Sequence, residues 1–379
     1  MKVVVAIDSL KGSLSSLEAG SAIRAGIFRV YPDANVIVKP LADGGEGTTE
    51  ALVQGLGGDV IPVSVHGPMR GTVEAIYGFL PEKKLAILEM AMAAGITLVQ
   101  NDEKNPWDAT TYGVGEMILD AIGRGCRDFI IGIGGSATND AGLGMLTALG
   151  FEFKDASGKS VGITPKSLRK IVTVHTENVP PDLKDCKFNV ACDVNNPLFG
   201  ENGATYIYGS QKGVTPEDRA VLDNDIRHFA SVTAAATGRD FSAFPGAGAA
   251  GGLGFAFLSY LQATLSPGID LILDAVELEK DLAGADFAVT GEGRLDHQTA
   301  MGKAPIGVAK LAKNHGAKVI ALAGSVTEDA RACNENGLDA YFPILQGVST
   351  LEEAMDKDTA ARNMENTAEQ VFRLIHAME

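Results

Sequence analysis

The stretch Phe287-Ala-Val-Thr-Gly-Glu-Gly-Arg-Leu-Asp-His-Gln-Thr-Ala-Met-Gly-Lys-Ala-Pro305 constrains the fold most. A short apolar run ends at Thr290, a polar loop holds Gly291, Glu292, Gly293, Arg294 and Asp296, and a helical pattern follows at Ile306, Val308, Ala309, Leu311 and Ala312. A strand, loop and helix of this kind belong to an open α/β sheet. There the loop lies outside the carboxyl end of its strand, where ligands bind and the next helix offers unpaired N–H groups. The N-terminus repeats the arrangement: Val3 to Ile7 is a buried-strand run, Asp8 to Ser13 a polar loop, and Leu14 to Val30 an amphipathic helix. Two such loops, one at each end of the chain, predict one site assembled from distant sequence.

At 379 residues the chain exceeds one ordinary domain core, so two domains are expected. A net charge of −16 excludes nucleic acid and anionic membrane as partners, since both need a basic surface. It leaves room for one small anion, because Lys11, Arg294 and Lys303 all lie in the candidate loops. Cys126, Cys186, Cys192 and Cys333 show neither CxxC pairing nor histidines at metal-ligand spacing, which predicts free thiols in a reducing cytoplasm. The N-terminal apolar run stops at Asp8, too short for a signal peptide or a membrane span.

Ala34 to Val38 reads as a second strand, and Pro40 to Thr49 as a glycine-rich loop entering a helix at Thr48 to Leu56. In that loop Gly44, Gly45 and Gly47 permit close approach of a ligand, while Asp43 and Glu46 face the rim of Asp8 or simply complement the helix dipole. From Asp59 to Met90 three strand-like runs follow one another without helices, which predicts a mixed sheet and a domain boundary near residue 65. Helical patterns cover Ala91 to Gly95 and Trp107 to Arg124, and the strand Phe129 to Ile133 leads to Gly134-Gly-Ser-Ala-Thr-Asn-Asp140. Ser136, Thr138 and Asn139 there either bind an anion or cap a helix.

The strand Lys187 to Cys192 ends at Asp193, and Tyr206 and Tyr208 have strand spacing. Gly246-x-Gly248-x-x-Gly251 matches the dinucleotide-binding string, but no apolar strand precedes it, so a nicotinamide-dependent dehydrogenase is a weak rival reading. Those glycines either open N–H groups to a phosphate or allow tight helix packing. Beyond Pro267 strand and helix alternate again, beginning with a helix near Val276 to Ala283. The pattern predicts a discontinuous doubly wound α/β domain over 1–65 and 270–379, with 66–269 inserted as a second α/β domain and the active site in the cleft between them.

The candidate loops hold Asp8, Asp43, Glu46, Asp193, Glu292 and Asp296 against Lys11, Arg294 and Lys303. Gathering carboxylates beside a polyphosphate is costly, about 4 kcal/mol for two like charges 4 Å apart at an effective dielectric of 20. A divalent cation removes that difficulty, and carboxylates with phosphate oxygens suit Mg²⁺. Phosphoryl transfer is the chemistry these loops predict. The sequence has no Walker A motif, no H-R-D or D-F-G and no G-x-S-x-G, so neither a P-loop enzyme, a protein kinase nor a serine hydrolase is implied.

Asp8-Ser-Leu-Lys-Gly-Ser-Leu-Ser-Ser16, Pro40-Leu-Ala-Asp-Gly-Gly-Glu-Gly-Thr48, Asp193-Val-Asn-Asn-Pro-Leu198, Pro245 to Gly254 and Thr290-Gly-Glu-Gly-Arg-Leu-Asp-His-Gln-Thr299 together resemble the type 1 glycerate kinase family, in family order and over nearly the whole chain. Leu10 stands where that family often has Phe, and Ser210 where it often has Pro. The resemblance implies a flavodoxin-like domain carrying an insert, and ATP-dependent phosphorylation of D-glycerate at its 2-hydroxyl. The 3-hydroxyl or another small hydroxy acid is the alternative. Asp193 or Asp296 is the expected base, and Asp8, Asp193, Asp296 and Glu292 the expected groups around Mg²⁺. Lys11 is assigned to the transferring phosphate, Arg294 with Ser9 and Asp8 to glycerate, and Gly44, Gly45, Gly47, Gly246, Gly248 and Gly251 to phosphates of the nucleotide or the substrate. Assembly into a homodimer is left open.

Overall fold

The computed structural model describes residues 1–42 and 47–379, and the chain divides into two compact units, Met1–Gly57 with Ile269–Glu379, and Gly58–Gly268. In the first unit five parallel strands lie in the spatial order Ala340–Pro343, Lys318–Ala323, Phe287–Thr290, Lys2–Ile7, Asn35–Pro40. Val3 to Ile7 are buried throughout, as an inner parallel strand covered on both faces requires. Within this unit the second strand, Asn35–Pro40, lies on one side of Lys2–Ile7 and the third, Phe287–Thr290, on its other side, so the order reverses at this strand. The loops leaving Lys2–Ile7 and Phe287–Thr290 therefore flank a topological switch point, where open α/β sheets place ligands.

The helix Ser16–Phe28 is started by Ser15, whose hydroxyl accepts from the Glu18 N–H while the Glu18 carboxylate accepts from the Ser15 N–H. Its Ile23 and Ile27 pack with Val3, Val5 and Ile7 and with Met364, Ala368 and Phe372 of the last helix, Lys357–Ala377. A side chain at Gly26 would come within 2.3 Å of the Glu365 carbonyl oxygen, so glycine sets how closely these two helices approach.

The second unit is built on a six-stranded mixed sheet in the order Thr264–Ser266, Lys187–Ala191, Asp128–Gly132, Leu85–Glu89, Thr72–Leu80, Asp59–His66. The first four strands are parallel, and the last two add antiparallel. Phe129 and Phe188 stack with ring centroids 4.8 Å apart, and Phe257 of the helix Ala249–Tyr260 packs beside them. The loops after Asp128–Gly132 and Lys187–Ala191 leave the same end of adjacent parallel strands.

Several elements differ from expectation. Tyr206 and Tyr208 lie in a short helix, Ala204–Tyr208, where the Tyr208 hydroxyl donates to Asn196 Oδ1 at 2.6 Å; a run of five residues is too short to separate the two periods. The helix expected over Trp107 to Arg124 begins at Tyr112, because residues before it make side-chain turns such as Trp107 N–H to Asn105 Oδ1. The helix expected near Val276 to Ala283 is the shorter Leu278–Leu282, and another helix, Gly268–Ala275, precedes it, the two separated at Glu277 in the left-handed region at φ 55°. The hairpin of Glu152–Lys154 and Thr173–His175 was not anticipated. Among the described residues no helix is long and apolar enough to cross a membrane, and all four cysteines are free.

Candidate functional site

In the first unit the two switch-point loops are tied together by a hydrogen bond from the Asp8 N–H to the Gly291 carbonyl at 2.9 Å. Only glycine fits at 291, since a Cβ there would stand 1.8 Å from the Leu322 carbonyl oxygen. Asp8 is buried and accepts from the Ser9 N–H at 2.7 Å. Glu292 accepts from the Thr299 hydroxyl at 2.6 Å, which fixes the direction of its carboxylate. Asp296 caps the helix His297–Ala300, its Oδ1 accepting from the Gln298 and Thr299 N–H groups, while Oδ2 stands 3.8 Å from Arg294 Nε. The Arg294 side chain is 65% exposed, available to a ligand.

These residues line one cavity of about 430 Å³, together with Ser9, Lys11, Ser13 and Lys303. The expected residues Asp8, Ser9, Lys11, Glu292, Arg294 and Asp296 are thus brought together in one place. The Ser13 hydroxyl is buried, lines the cavity and has no hydrogen-bond partner among the described residues, a donor left for an incoming oxygen. Among the described residues the lining carries carboxylates but no cysteine or histidine, a donor set that suits a hard cation such as Mg²⁺. Among the described residues no three His, Cys, Asp or Glu side chains stand together as a ready metal cage.

In the inserted unit Asp193 follows the strand Lys187–Ala191 and accepts from the Gly268 N–H at 3.0 Å through Oδ1. Ser136, Thr138 and Asn139 follow the neighbouring strand and are buried. Lys212 reaches this loop, donating to Ser136 Oγ at 2.6 Å and to the Thr138 carbonyl at 2.7 Å. Burial pulls the Lys212 ammonium down to about 7, with Asp140 opposing the shift. Asp140 is fully buried and accepts from the Thr111 N–H and hydroxyl and from the Gly142 and Gly144 N–H groups. Burial raises its carboxyl, and those four donors pull the other way. Sequence reasoning missed Lys212 as a functional group, because nothing in Gln211-Lys-Gly213 marks a lysine that will be buried.

Gly246, Gly248 and Gly251 are required by close packing. A Cβ would lie 2.8 Å from Cys192 Sγ at Gly246, 2.2 Å from the Pro197 carbonyl oxygen at Gly248 and 2.1 Å from the Thr138 carbonyl oxygen at Gly251. The Gly248 N–H is also engaged, donating to the Asn196 carbonyl at 3.0 Å. Gly47 precedes the helix Thr48–Leu56 with φ 86°, and a Cβ there would meet nothing within 4 Å among the described residues, so its glycine is favoured by backbone conformation. Asp43, Gly44, Gly45 and Glu46 lie outside the described residues.

The chain matches the model of the glycerate kinase family over residues 3–376. It is 46% identical to glycerate kinase of Bacillus subtilis (strain 168) over 371 residues, covering 98% of this chain and 97% of the relative. It is 44% identical to glycerate 2-kinase of Escherichia coli (strain K12), covering 93% of each. A crystal structure described as glycerate kinase 2 from Salmonella typhimurium LT2 superposes with a TM-score of 0.91 at 42% identity, covering 100% of this chain and 98% of that one. The chain belongs to the glycerate kinase family.

Proposed function

We propose that the protein phosphorylates D-glycerate on its 2-hydroxyl with MgATP, giving 2-phosphoglycerate and ADP. The observation that carries this reading is the convergence of Asp8, Ser9, Lys11, Glu292, Arg294 and Asp296 on one cavity at the switch point of a parallel sheet, in a chain matched end to end by one kinase family. The strand order, 2-1-3-4-5 when numbered within the first unit, supports a flavodoxin-like description of it, with the region from about 66 to 269 as the inserted domain.

In this reading Lys11 places its ammonium on the transferring phosphate and Arg294 pairs with the glycerate carboxylate, to which a planar guanidinium can donate twice. Asp8 and Glu292 would hold Mg²⁺, whose preference for carboxylate oxygens they match. When bound, that ion neutralises charge on the polyphosphate. Asp193 is the stronger candidate for base. One of its oxygens is held by the Gly268 N–H, and the other makes no hydrogen bond among the described residues. Asp296 has one oxygen taken by its own helix and the other facing Arg294. Asp193 takes the proton of the 2-hydroxyl, that oxygen forms a bond to the γ-phosphorus, and the bond from phosphorus to the β,γ-bridging oxygen breaks as ADP leaves.

The test is release of ADP from MgATP on adding D-glycerate, with L-glycerate as control. Release with D-glycerate at a rate well above that with L-glycerate is expected. No release with either acid overturns the substrate.

A further inference from the structure

The cavity of the first unit has a second wall that the phosphoryl-transfer chemistry does not use. Beside the charged loops the lining includes Ile344 and Leu345, which follow the strand Ala340–Pro343, and Leu351, Ala354 and Met355 of the helix Leu351–Met355. That helix is firmly started: the Thr350 hydroxyl accepts from the Glu353 N–H, and the Glu353 carboxylate accepts from the Thr350 N–H at 2.9 Å. Leu351 and Met355 are four residues apart, so they share one face of the helix. They remain 75% and 36% exposed, and Leu345 is 40% exposed. Met355 meets the charged side directly, its terminal methyl standing 2.8 Å from where a Cβ on Gly12 would be. The apolar wall and the Asp8 to Ser13 loop are therefore parts of one cavity.

Glycerate gives this wall no purpose. Each of its three carbons bears oxygen, so it has no apolar surface to bury, and it is far smaller than about 430 Å³. A cavity of this volume, with aliphatic and thioether groups along one side and a few cations along the other, fits a ligand with a flat apolar end and an anionic end. Of the two substrates of the reaction, only the nucleotide has that shape. Methionine sulfur and aliphatic edges also make favourable contacts with aromatic rings.

We infer that the wall formed by Leu345, Leu351 and Met355 seats the purine of the nucleotide, whose phosphates run from it across the cavity to Lys11 and Lys303. The inference rests on the kinase reading above, and it places the purine together with the phosphates in the cavity of this unit, whereas the sequence pointed to Gly246, Gly248 and Gly251 for phosphates.

The test is titration calorimetry of ADP and, separately, of tripolyphosphate, which keeps the anionic end and lacks the base. It uses the wild-type protein, Leu351→Asp and Met355→Gln. Leu351 is largely exposed, so its substitution leaves the core intact, and Met355→Gln keeps length and shape. The expected result is a loss of about tenfold or more in ADP affinity in Leu351→Asp, a smaller loss in Met355→Gln, and unchanged tripolyphosphate affinity in both. Equal ADP affinity in all three proteins overturns the seat while leaving the kinase intact. Parallel weakening of ADP and tripolyphosphate also overturns it, by showing that the substitutions disturb the anion end. Failure of the wild-type protein to bind ADP overturns the kinase reading on which the seat depends.

Discussion

Asp193, just past a strand end, and Lys212, whose side chain reaches the loop after the neighbouring strand, show how differently two ionisable side chains are used. Asp193 keeps one oxygen outside any hydrogen bond among the described residues, so Asp193→Asn should lower kcat by about 10²- to 10⁴-fold. Asp296→Asn, which alters a helix cap, should instead act through stability and the KM for glycerate. Steady-state kinetics on the two variants separates the roles, and near-full turnover in Asp193→Asn would remove it as the base. Lys212 is a load on folding. Its folded value near 7 lies below the ordinary 10.5, so between those values the unfolded chain holds a proton that the folded chain has lost. Unfolding then takes up a proton, and this group makes stability rise with pH through that window, by up to about 1.4 kcal/mol per unit. Below about pH 7 both states are protonated and its contribution is flat. Lys212→Met should reduce the gain in stability between pH 6.5 and 9, as read by urea unfolding at the two values. An unchanged pH profile would show that the ammonium keeps its proton in the folded protein.

At the scale of elements, the switch-point loops depend on glycines that no side chain can replace. Gly291→Ala places a Cβ 1.8 Å from the Leu322 carbonyl oxygen, so the strand end must shift. The expected cost is about 1–3 kcal/mol, measured as a lower urea midpoint, with a fall in activity because Asp8 is bonded to the Gly291 carbonyl. These loops were legible in the sequence because an apolar run, a glycine-acid loop and a helical period follow one another without ambiguity at both ends of the chain. The mixed sheet was legible for the same reason, from three strand-like runs unbroken by helix. Where the local signal is symmetric it misleads: Tyr206 and Tyr208 fit strand and helix equally, and their tertiary contacts select the helix. The glycines at 246 to 251 show a further limit. A string of small residues looks the same whether a phosphate or a carbonyl oxygen approaches, and the close packing against Pro197 and Thr138 could not be read from it. Lys212 and the apolar wall at Leu351 were invisible for the opposite reason, since a lone lysine and a leucine four residues before a methionine are ordinary in any helix-rich sequence.

For the whole molecule, the reading requires residues far apart in the chain to serve one transition state. Lys11 belongs to the unit formed by both termini, and Asp193 to the inserted unit. Groups that act together in one step are strongly non-additive when removed. Lys11→Met is expected to cost about 10²-fold or more in kcat/KM. The double variant Lys11→Met/Asp193→Asn should then lose much less than the product of the single losses. Independent, multiplicative losses would mean that the two loops do not share a reaction. The central claim concerns which bond is made. Phosphorus NMR of the product formed from MgATP and D-glycerate tests it most directly, because a phosphate on C2 is split by one neighbouring proton and a phosphate on C3 by two. A doublet is the predicted signal; a triplet, or no phosphorylated acid at all, would contradict it.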